Sequence, residues 1–202
     1  MEGVDPVSHA RHAPPELLAS EADERLVERA QRGEREAFAA LYDRYLPRVY
    51  GYCLRLLGSR EAAEDANADV FMRALIGLPG FRAGSFRSWL FSIAHNVIID
   101  HRRRRRRGEP LLAAIEAADP GPSPEAAAIA SAERAALHAA LPLLYIEQQH
   151  VVALRLAGLS AVEIGEALGK PRGAIDALQH RAVVRLRALL ATGAEAATTG
   201  GG

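Results

Sequence analysis

The stretch SFRSWLFSIAHNVIIDHRRRRRR, residues 85–107, joins an amphipathic pattern to six consecutive arginines. Its apolar residues recur at spacings of four, three and four positions, which is typical of one face of a helix. They are Phe86, Leu90, Ile93 and Val97. Ser85 stands just before them and is a good helix cap. The pattern predicts an α-helix whose last turns carry dense positive charge.

The composition of the whole chain predicts an all-α fold of two small helical domains, each with its own core. The chain has 202 residues, of which 49% are hydrophobic and only 5% aromatic, and it is rich in alanine, leucine and arginine. Cys53 is the single cysteine, so neither an internal disulfide nor a cysteine zinc site is expected. With no apolar stretch of about 20 residues and no signal-peptide pattern, we expect a soluble, cytoplasmic protein without metal or cofactor.

The positive charge is concentrated although the formal net charge is zero. Residues 81–107 carry eight arginines against Asp100, a local charge of +7. Together with the aromatic residues and the glycine-containing loop GFRAGS at 80–85, this charge favours binding of single-stranded nucleic acid. Two alternatives remain open, namely that the run is only a solvated segment and that Trp89 simply packs against a neighbouring helix.

Two further helices are predicted upstream. An apolar stripe runs through residues 36–57, where Pro47 either starts a new turn or kinks a long helix. Gly58 suits a helix stop and Ser59 suits the cap of the next helix. On that next helix Glu61, Asp65 and Asp69 recur every four residues. We interpret them as a solvated or partner-facing acidic ridge, because a divalent-metal site would want a nearby histidine or a calcium-binding loop.

The downstream part predicts a linker and then a helix-turn-helix. Residues 108–128 are acidic and rich in proline, alanine and glycine, which is typical of a linker. Ser160 and Glu163 form a capping-box pattern, and Gly169 ends the short helix that follows. The next helix carries one apolar face, and its basic residues lie outside that face. A basic second helix of this kind is typical of a DNA-recognition helix, although plain helical hairpins share the pattern.

The order of these motifs resembles a bacterial RNA polymerase sigma factor of the sigma-70 family, extracytoplasmic-function (ECF) group. The resemblance is carried by LVERAQRGEREAFAALYDRYLPRVY, AEDANADVFMRAL, SFRSWLFSIAHNVIIDHRRRRR and ALPLLYIEQQHVVALRLAGLSAVEIGEALG. It implies a region 2 helical bundle and a region 4 helix-turn-helix joined by a flexible linker. The implied segments are a disordered arm at 1–21, region 2 at 22–107, a linker at 108–132, region 4 at 133–190 and a disordered tail at 191–202.

By this resemblance, region 2 would melt the promoter's minus-ten element and hold the non-template strand. The loop at 82–88 would accept a flipped base, Asn96 and Asp100 would lie near the duplex edge, and the arginines would lie against phosphates. The implied DNA-contacting residues are Arg82, Ser85, Arg87, Ser88, Trp89, Asn96, Asp100, Arg102, Arg103, Arg104 and Arg105.

Region 4 would contact the minus-thirty-five element, and the acidic helix would dock on core RNA polymerase. The implied region 4 residues are Ser160, Arg172, Gly173, Asp176, Ala177, His180 and Arg181. The implied docking residues are Glu61, Asp65, Ala68, Asp69 and Phe71. The implied partners are the clamp helices and flap of core polymerase, promoter DNA as duplex and as non-template single strand, and an anti-sigma factor, without membrane insertion.

Two departures from the family pattern accompany the resemblance. Ala68 and Asp69 stand where the family usually has Gln and Glu in the docking helix. The recognition helix has Pro171, Ala174, Asp176, Ala177 and Leu178 in place of a Ser cap followed by Thr, Lys, Ser and Arg. An aspartate facing phosphates is repulsive, so this helix is predicted to be a weak reader of DNA, or a protein-binding helix.

Two other functions are considered beside a non-enzymatic sigma factor. A free-standing helix-turn-helix regulator would explain residues 133–190 but would leave the acidic and arginine-rich helices without a role. An enzyme such as a nuclease is disfavoured, because the sequence has no phosphate-binding loop and its seven histidines are scattered without ligand spacing.

Overall fold

The computed structural model describes residues 21–82, 84–105, 136–137 and 139–199, and side chains up to residue 191. Regular structure in these ranges is helical throughout, which confirms the all-α prediction. The α-helices are α1 Asp23–Gln31, α2 Arg35–Leu57, α3 Arg60–Gly77, α4 Phe86–Arg105, α5 Ile146–Leu156, α6 Ala161–Leu168 and α7 Arg172–Thr199, with 3₁₀ turns at Leu78–Gly80 and Leu141–Leu143. None of these helices is long and apolar enough to cross a membrane.

Helices α1 to α4 form the N-terminal unit, which is built around α2. Pro47 lies inside α2, so the helix continues through it instead of restarting. The helix ends at Gly58 with a φ of 70°, a left-handed conformation that glycine adopts without strain. Ser59 then caps α3 by accepting a hydrogen bond from the Ala62 amide at 3.4 Å. The predicted stop and cap are therefore confirmed.

The core of the N-terminal unit contains several fully buried side chains of α2, among them Tyr45, Tyr52 and Cys53. Burial raises the pKa of the Cys53 thiol to about 12. Phe91 and Ile98 of α4, which lie off the apolar face seen in the sequence, are also fully buried. Helix α4 is buried on two sides because it packs against α2 and α3 on one and against α6 on another.

Helices α5 to α7 form the C-terminal unit, in which α6 and α7 make the predicted helix-turn-helix. The Ser160 hydroxyl accepts from the Glu163 amide at 3.2 Å, and the Glu163 carboxylate accepts from the Ser160 amide at 2.8 Å, which completes the capping box. Gly169 ends α6 with a φ of 62°. At Gly165 an added Cβ would lie 2.7 Å from the Lys170 carbonyl oxygen, so the tight turn requires glycine there.

The two units share one continuous hydrophobic core, so the expectation of separate cores is wrong. Val151, Leu154 and Ile164 of the C-terminal unit belong to the same buried cluster as the α2 and α4 side chains. A small second cluster contains Ala140, Leu141, Leu144, Ala182 and Leu186. Helices α5 and α6 have only 11 and 8 residues, so they bury their apolar faces against the larger unit.

Several sequence predictions lie outside the described residues. These are the N-terminal arm up to residue 20, Arg106 and Arg107, the linker and the final glycines. Helix α7 continues to Thr199, past residue 191 where the predicted tail begins.

Candidate nucleic-acid interface

The arginine run at the end of α4 divides into two pairs. Arg102 donates from Nε to the Leu56 carbonyl at 3.2 Å and from its guanidinium to Gln149 Oε1 at 3.0 Å, and Arg105 donates to the Leu57 carbonyl at 3.4 Å. These carbonyls end α2, where the helix carries partial negative charge. Arg103 and Arg104 are exposed. Arg105 is exposed as well, although it reaches back to the end of α2, whereas Arg102 is partly buried.

An open cavity of about 410 Å³ lies beside the first half of α4. It is lined by Arg73, Gly77, Gly80, Phe81, Trp89, Ile93 and Asn96. The rings of Phe81 and Trp89 are 5.1 Å apart and tilted. Trp89 is half-buried and packs over Gly77, where an added Cβ would approach the ring to 3.2 Å. Trp89 therefore packs against a neighbouring helix and also borders a cavity.

Helix α1 fixes the loop that forms one edge of this cavity. The Gln31 side chain donates to the Leu78 carbonyl at 2.9 Å and to the Phe81 carbonyl at 2.6 Å. Arg82 is exposed and donates to the Pro79 carbonyl at 3.0 Å. The role of Gln31 was missed from the sequence, because its partners are backbone atoms far along the chain.

Three of the predicted DNA-contacting residues at the start of α4 turn toward the C-terminal unit or the core. Ser85 caps α4 through the Ser88 amide at 3.2 Å, and its hydroxyl donates to Glu163 at 3.4 Å. Arg87 lies 3.5 Å from the same carboxylate and 3.4 Å from the Gly158 carbonyl. Ser88 is only 5% exposed, and within the described residues its hydroxyl has no hydrogen-bond partner. Its side chain is therefore not accessible to DNA in this arrangement.

Farther along α4 the predicted residues face solvent. Asn96 is exposed. Asp100 is half-exposed and lies 3.3 Å from the Arg73 guanidinium. Exposed ion pairs of this kind add little stability, so Arg73 and Asp100 are available to a partner at small cost.

The recognition helix α7 presents most of its predicted residues. Arg172, Gly173, Asp176, His180 and Arg181 are exposed, and Ala177 is partly exposed. Arg172 and Asp176 form an exposed ion pair at 3.7 Å. Ser160, at the start of α6, is exposed as well. Asp176 therefore stands on the outer face of α7, and what this face binds remains a prediction.

A second open cavity, of about 390 Å³, lies between the start of α5 and the middle of α7. Its lining is Tyr145, Gln148, His180, Arg181, Val184, Arg185 and Ala188. The Arg185 guanidinium lies over the Tyr145 ring, 4.6 Å from its centre. His180 and Arg181 are therefore shared between the outer face of α7 and this cavity.

The predicted docking face of α3 is exposed except at Phe71. Glu61, Asp65 and Ala68 are exposed, and Asp69 lies 3.5 Å from His101. Phe71 is 6% exposed and its ring lies 4.6 Å from that of Tyr42, so it supports the core and is not accessible to a partner. The apolar residues Met72, Leu75 and Ile76 are 60%, 50% and 73% exposed. They lie off the buried stripe of α3, a signal that a helical projection of the sequence contains.

Together, a helix-turn-helix with an exposed second helix and a helix ending in exposed arginines define the class as an all-helical DNA-binding protein. Comparison with known families makes this specific. The family described as Sigma-70 region 2 matches residues 41–108, and Sigma-70, region 4 matches residues 140–188. The chain belongs to the sigma-70 family, in its ECF group. Members of this family are regulatory proteins of transcription initiation and not enzymes.

The similar proteins include two sigma factors of Streptomyces. The chain is 41% identical to the ECF RNA polymerase sigma factor BldN of Streptomyces coelicolor over 174 residues, which are 82% of this chain and 64% of that protein. It is 34% identical to the ECF RNA polymerase sigma factor ShbA of Streptomyces griseus over 178 residues, 81% of this chain and 93% of that protein.

Two solved structures share the fold. The structure of CnrH in complex with the cytosolic domain of CnrY matches with a TM-score of 0.67 and 26% identity, covering 85% of this chain and 99% of that chain. The sigma factor RpoE from Bartonella quintana, in complex with the anti-sigma factor NepR, matches with a TM-score of 0.62 and 25% identity. This match covers 76% of this chain and 96% of that chain.

Proposed function

We propose that this chain is a specificity subunit that binds core RNA polymerase and directs initiation at a set of promoters. In this proposal the N-terminal unit recognises and melts the minus-ten element, and the C-terminal unit contacts the minus-thirty-five element. Both partners, polymerase and DNA, place its work in the bacterial cytoplasm.

The observation that carries the proposal is the spacing of Trp89, Asn96 and Arg103 on α4. They recur every seven residues and therefore share one face of the helix. At about 1.5 Å per residue, Trp89 and Arg103 lie roughly 21 Å apart, which is about six nucleotide steps of 3.4 Å. One helix face thus combines an aromatic cavity, an exposed amide and the exposed Arg103 at a spacing that suits the length of a short promoter element.

The chemistry of this face suits strand separation. The cavity volume falls within the range of small-ligand sites, and its two aromatic rings offer a stacking surface for one unstacked base. Asn96 can donate to and accept from a base edge. Arg103 and Arg104 would neutralise phosphates at the upstream end of the melted segment. Because unstacking a base costs a few kcal/mol, a cavity that favours one base turns melting into sequence selection.

The exposed face of α3 supports docking on polymerase. Its carboxylates at Glu61 and Asp65 continue into the apolar side chains of Met72 and Ile76, and all four share one side of the helix. A surface with an apolar centre and a charged rim is typical of protein interfaces. We propose that this face meets the clamp helices of core polymerase and that the cavity beside Tyr145 meets the flap.

We also propose an anti-sigma factor as a regulatory partner. The similar sigma factor RpoE is bound to the anti-sigma factor NepR in its structure. An inhibitor of this chain would act most simply by covering the α3 face or the cavity-bearing face of α4.

The test is run-off transcription with purified core RNA polymerase over a library of promoter fragments, with and without the protein. Transcripts that start at a shared motif only when the protein is present would support the proposal. Duplex DNA binding without any binding to core polymerase would favour the free-standing regulator instead.

Variants of Trp89 test the cavity within the same assay. Trp89→Ala is expected to reduce promoter opening roughly 5- to 150-fold, since one stacking contact contributes about 1–3 kcal/mol, and Trp89→Phe should restore part of it. The matched control is Ile99→Ala, which removes another exposed apolar side chain of α4. Normal opening by a folded Trp89→Ala protein would contradict a role for this ring.

A further inference from the structure

A side chain from a separate helix holds the loop at the edge of the cavity that the proposed function assigns to one unstacked base. Gln31, the last residue of α1, donates from Nε2 to the Leu78 carbonyl at 2.9 Å and to the Phe81 carbonyl at 2.6 Å. The first carbonyl begins the 3₁₀ turn Leu78–Gly80 and the second follows it. Gly80 and Phe81 both line the cavity. A glutamine amide has two N–H donors, so Gln31 joins the two ends of this turn.

The other hydrogen bonds of the loop are local. The Phe81 amide donates to the Leu78 carbonyl at 3.0 Å, and Arg82 donates to the Pro79 carbonyl at 3.0 Å. A 3₁₀ turn has poorer hydrogen-bond geometry than an α-helix. These local bonds hold the shape of the turn, whereas the bonds from Gln31 fix where the turn lies relative to α1. Loss of the Gln31 donors would therefore let the turn shift beside the cavity.

Helix α1 is a firm support for this side chain. Leu26 is fully buried in the core of the N-terminal unit. Near the start of α1, Asp23 accepts a hydrogen bond from the Tyr45 hydroxyl of α2. Near its end, Arg29 donates to the Glu34 carboxylate at 2.8 Å. Because α1 is anchored along its length, the residue at its end can hold a loop in place.

The width of the cavity depends on the loop. Of the two aromatic rings that border the cavity, Trp89 belongs to α4 and Phe81 belongs to the loop, and their centres are 5.1 Å apart. A shift of the loop would change the space beside Trp89. Selectivity for one base is a difference between affinities, and a space without a fixed edge distinguishes poorly between purines and pyrimidines. The fixed position of the loop is therefore a condition for selecting one base.

We propose that Gln31 is a positioning residue that sets how strongly the cavity prefers one base over the others. In this role it acts through the loop that it holds and not by contact with DNA. The inference rests on the proposed function of the cavity. Its test therefore includes one measurement on the free protein that does not depend on DNA.

The deciding variant is Gln31→Glu in the full chain. Glutamate has nearly the shape of glutamine, but its carboxylate only accepts and cannot bond to the two carbonyls. Gln31→Ala is a second variant, which removes the donors without adding charge. The matched control is Arg25→Gln, which makes the same change of net charge as Gln31→Glu at another exposed position of α1. Gln31→Lys is the rescue variant, because an ammonium group again offers donors.

The first measurement uses Trp89, the only tryptophan of the chain, as a probe of the loop. Acrylamide quenching of its fluorescence in the free protein reports how accessible the ring is. We expect the quenching constant to rise about twofold in Gln31→Glu and in Gln31→Ala, because the loop opens locally, and to stay unchanged in Arg25→Gln. Equal quenching in wild type and both Gln31 variants would overturn the proposal, whatever the cavity binds.

The second measurement is the base preference of the holoenzyme, assembled from core polymerase and each variant. Templates with a randomised minus-ten element are offered, and those recovered in open complexes are sequenced. We expect Gln31→Glu to lower the preference at one position about three- to tenfold, the range for the loss of one or two neutral hydrogen bonds. Preferences at the other positions and binding to core polymerase should not change. Gln31→Lys should keep part of the preference, and Arg25→Gln should keep all of it.

The pattern of loss separates positioning from a merely structural role. Fewer open complexes with unchanged preferences would overturn the proposal, because Gln31 would then only support the fold. Equal weakening at every position would also overturn it, since one cavity holds one base. If wild type forms no open complex on any template, the proposed function fails and base selection by Gln31 fails with it. The quenching result then still decides whether Gln31 holds the loop.

Discussion

The N-terminal and C-terminal units differ in whether the side chains suited to DNA are also exposed. The N-terminal unit has residues suited to DNA, but Ser85, Arg87 and Arg102 contact the other unit and Ser88 is buried. The C-terminal unit presents its recognition helix openly, yet the open face carries Asp176 where a cation would suit DNA better. Side chains suited to DNA are partly covered in the N-terminal unit, and a helix poorly suited to DNA is exposed in the C-terminal unit.

Residue type and accessibility are therefore separate requirements of a binding surface. Residue type can be judged from the sequence, whereas accessibility depends on which neighbour packs over the side chain. The exposed face of α4, with Trp89, Asn96 and Arg103, is where the two requirements coincide. Variants of the arginines, the buried histidines and Asp176 test this contrast.

The largest effect is expected from the exposed arginine pair. The logarithm of the affinity falls linearly with the logarithm of the salt concentration. If Arg103 and Arg104 each contact a phosphate, replacing both by alanine should make this negative slope shallower by about 1.4–1.8. Affinity near 0.1 M salt should fall roughly 25- to 60-fold by the same relation. Titration of labelled promoter DNA at several salt concentrations measures both quantities.

Arg102→Ala is the matched control for that experiment. Its guanidinium bonds to the Leu56 carbonyl and to Gln149, so the variant should loosen the contact between the units and leave the salt slope nearly unchanged. If Arg102→Ala changed the salt slope and the Arg103 and Arg104 variant did not, Arg102 would be the phosphate contact and the other two arginines would not.

An intermediate effect is expected from pH, because the contact between the units buries histidines. Burial, then His95 and Arg102, lower the pKa of His150 to about 3, and burial, then Lys170, lower that of His95. The state in which the two units are in contact therefore binds fewer protons than a state in which they are apart. Its stability is complete above the ordinary histidine pKa of 6.5 and is lost as the pH falls below that value.

Between about pH 7.5 and about pH 5.5 the ratio of chains with the units in contact to chains with the units apart should fall roughly tenfold for one titrating histidine. The pKa of Glu163 is lowered, so its carboxylate stays ionised over this range and does not oppose the change. Amide exchange of α5 across the range measures the ratio. The His95→Gln/His150→Gln double variant should remove most of the pH dependence. An unchanged pH dependence in this variant would show that other groups cause it.

The smallest effect is expected on the recognition helix. Asp176→Lys should tighten binding of a minus-thirty-five duplex about five- to eightfold, the gain from one added phosphate contact near 0.1 M salt. The lost ion pair with Arg172 is exposed and costs little. Asp176→Asn should give a smaller gain, since it only removes repulsion. No gain in either variant would mean that this face of α7 binds protein instead of duplex DNA.

Local patterns in the sequence predicted much of the fold. The stop at Gly58, the caps at Ser59 and Ser160 and the turn at Gly169 depend on neighbouring residues, and the structure confirms each of them. Periodicity likewise placed the outer face of α7 correctly. Both kinds of pattern act within one or two helical turns, which is why they can be read from a single sequence.

The surroundings of several candidate site residues could not be predicted in this way. The buried position of Phe71 depends on Tyr42, and the roles of Ser85 and Arg87 depend on Glu163, which is more than 70 residues away in the chain. Gln31 fixes the cavity loop through carbonyls nearly 50 residues away. Such contacts are set by tertiary packing, and no local periodicity encodes them.

Cys53 has a consequence for the signals to which this chain can respond. It is the only cysteine in the sequence, it is fully buried, and its thiol has a pKa of about 12. Peroxides and disulfides react with thiolates, and at neutral pH this side chain supplies almost none. Cys53 is therefore a poor target for peroxides and disulfides while the protein is folded.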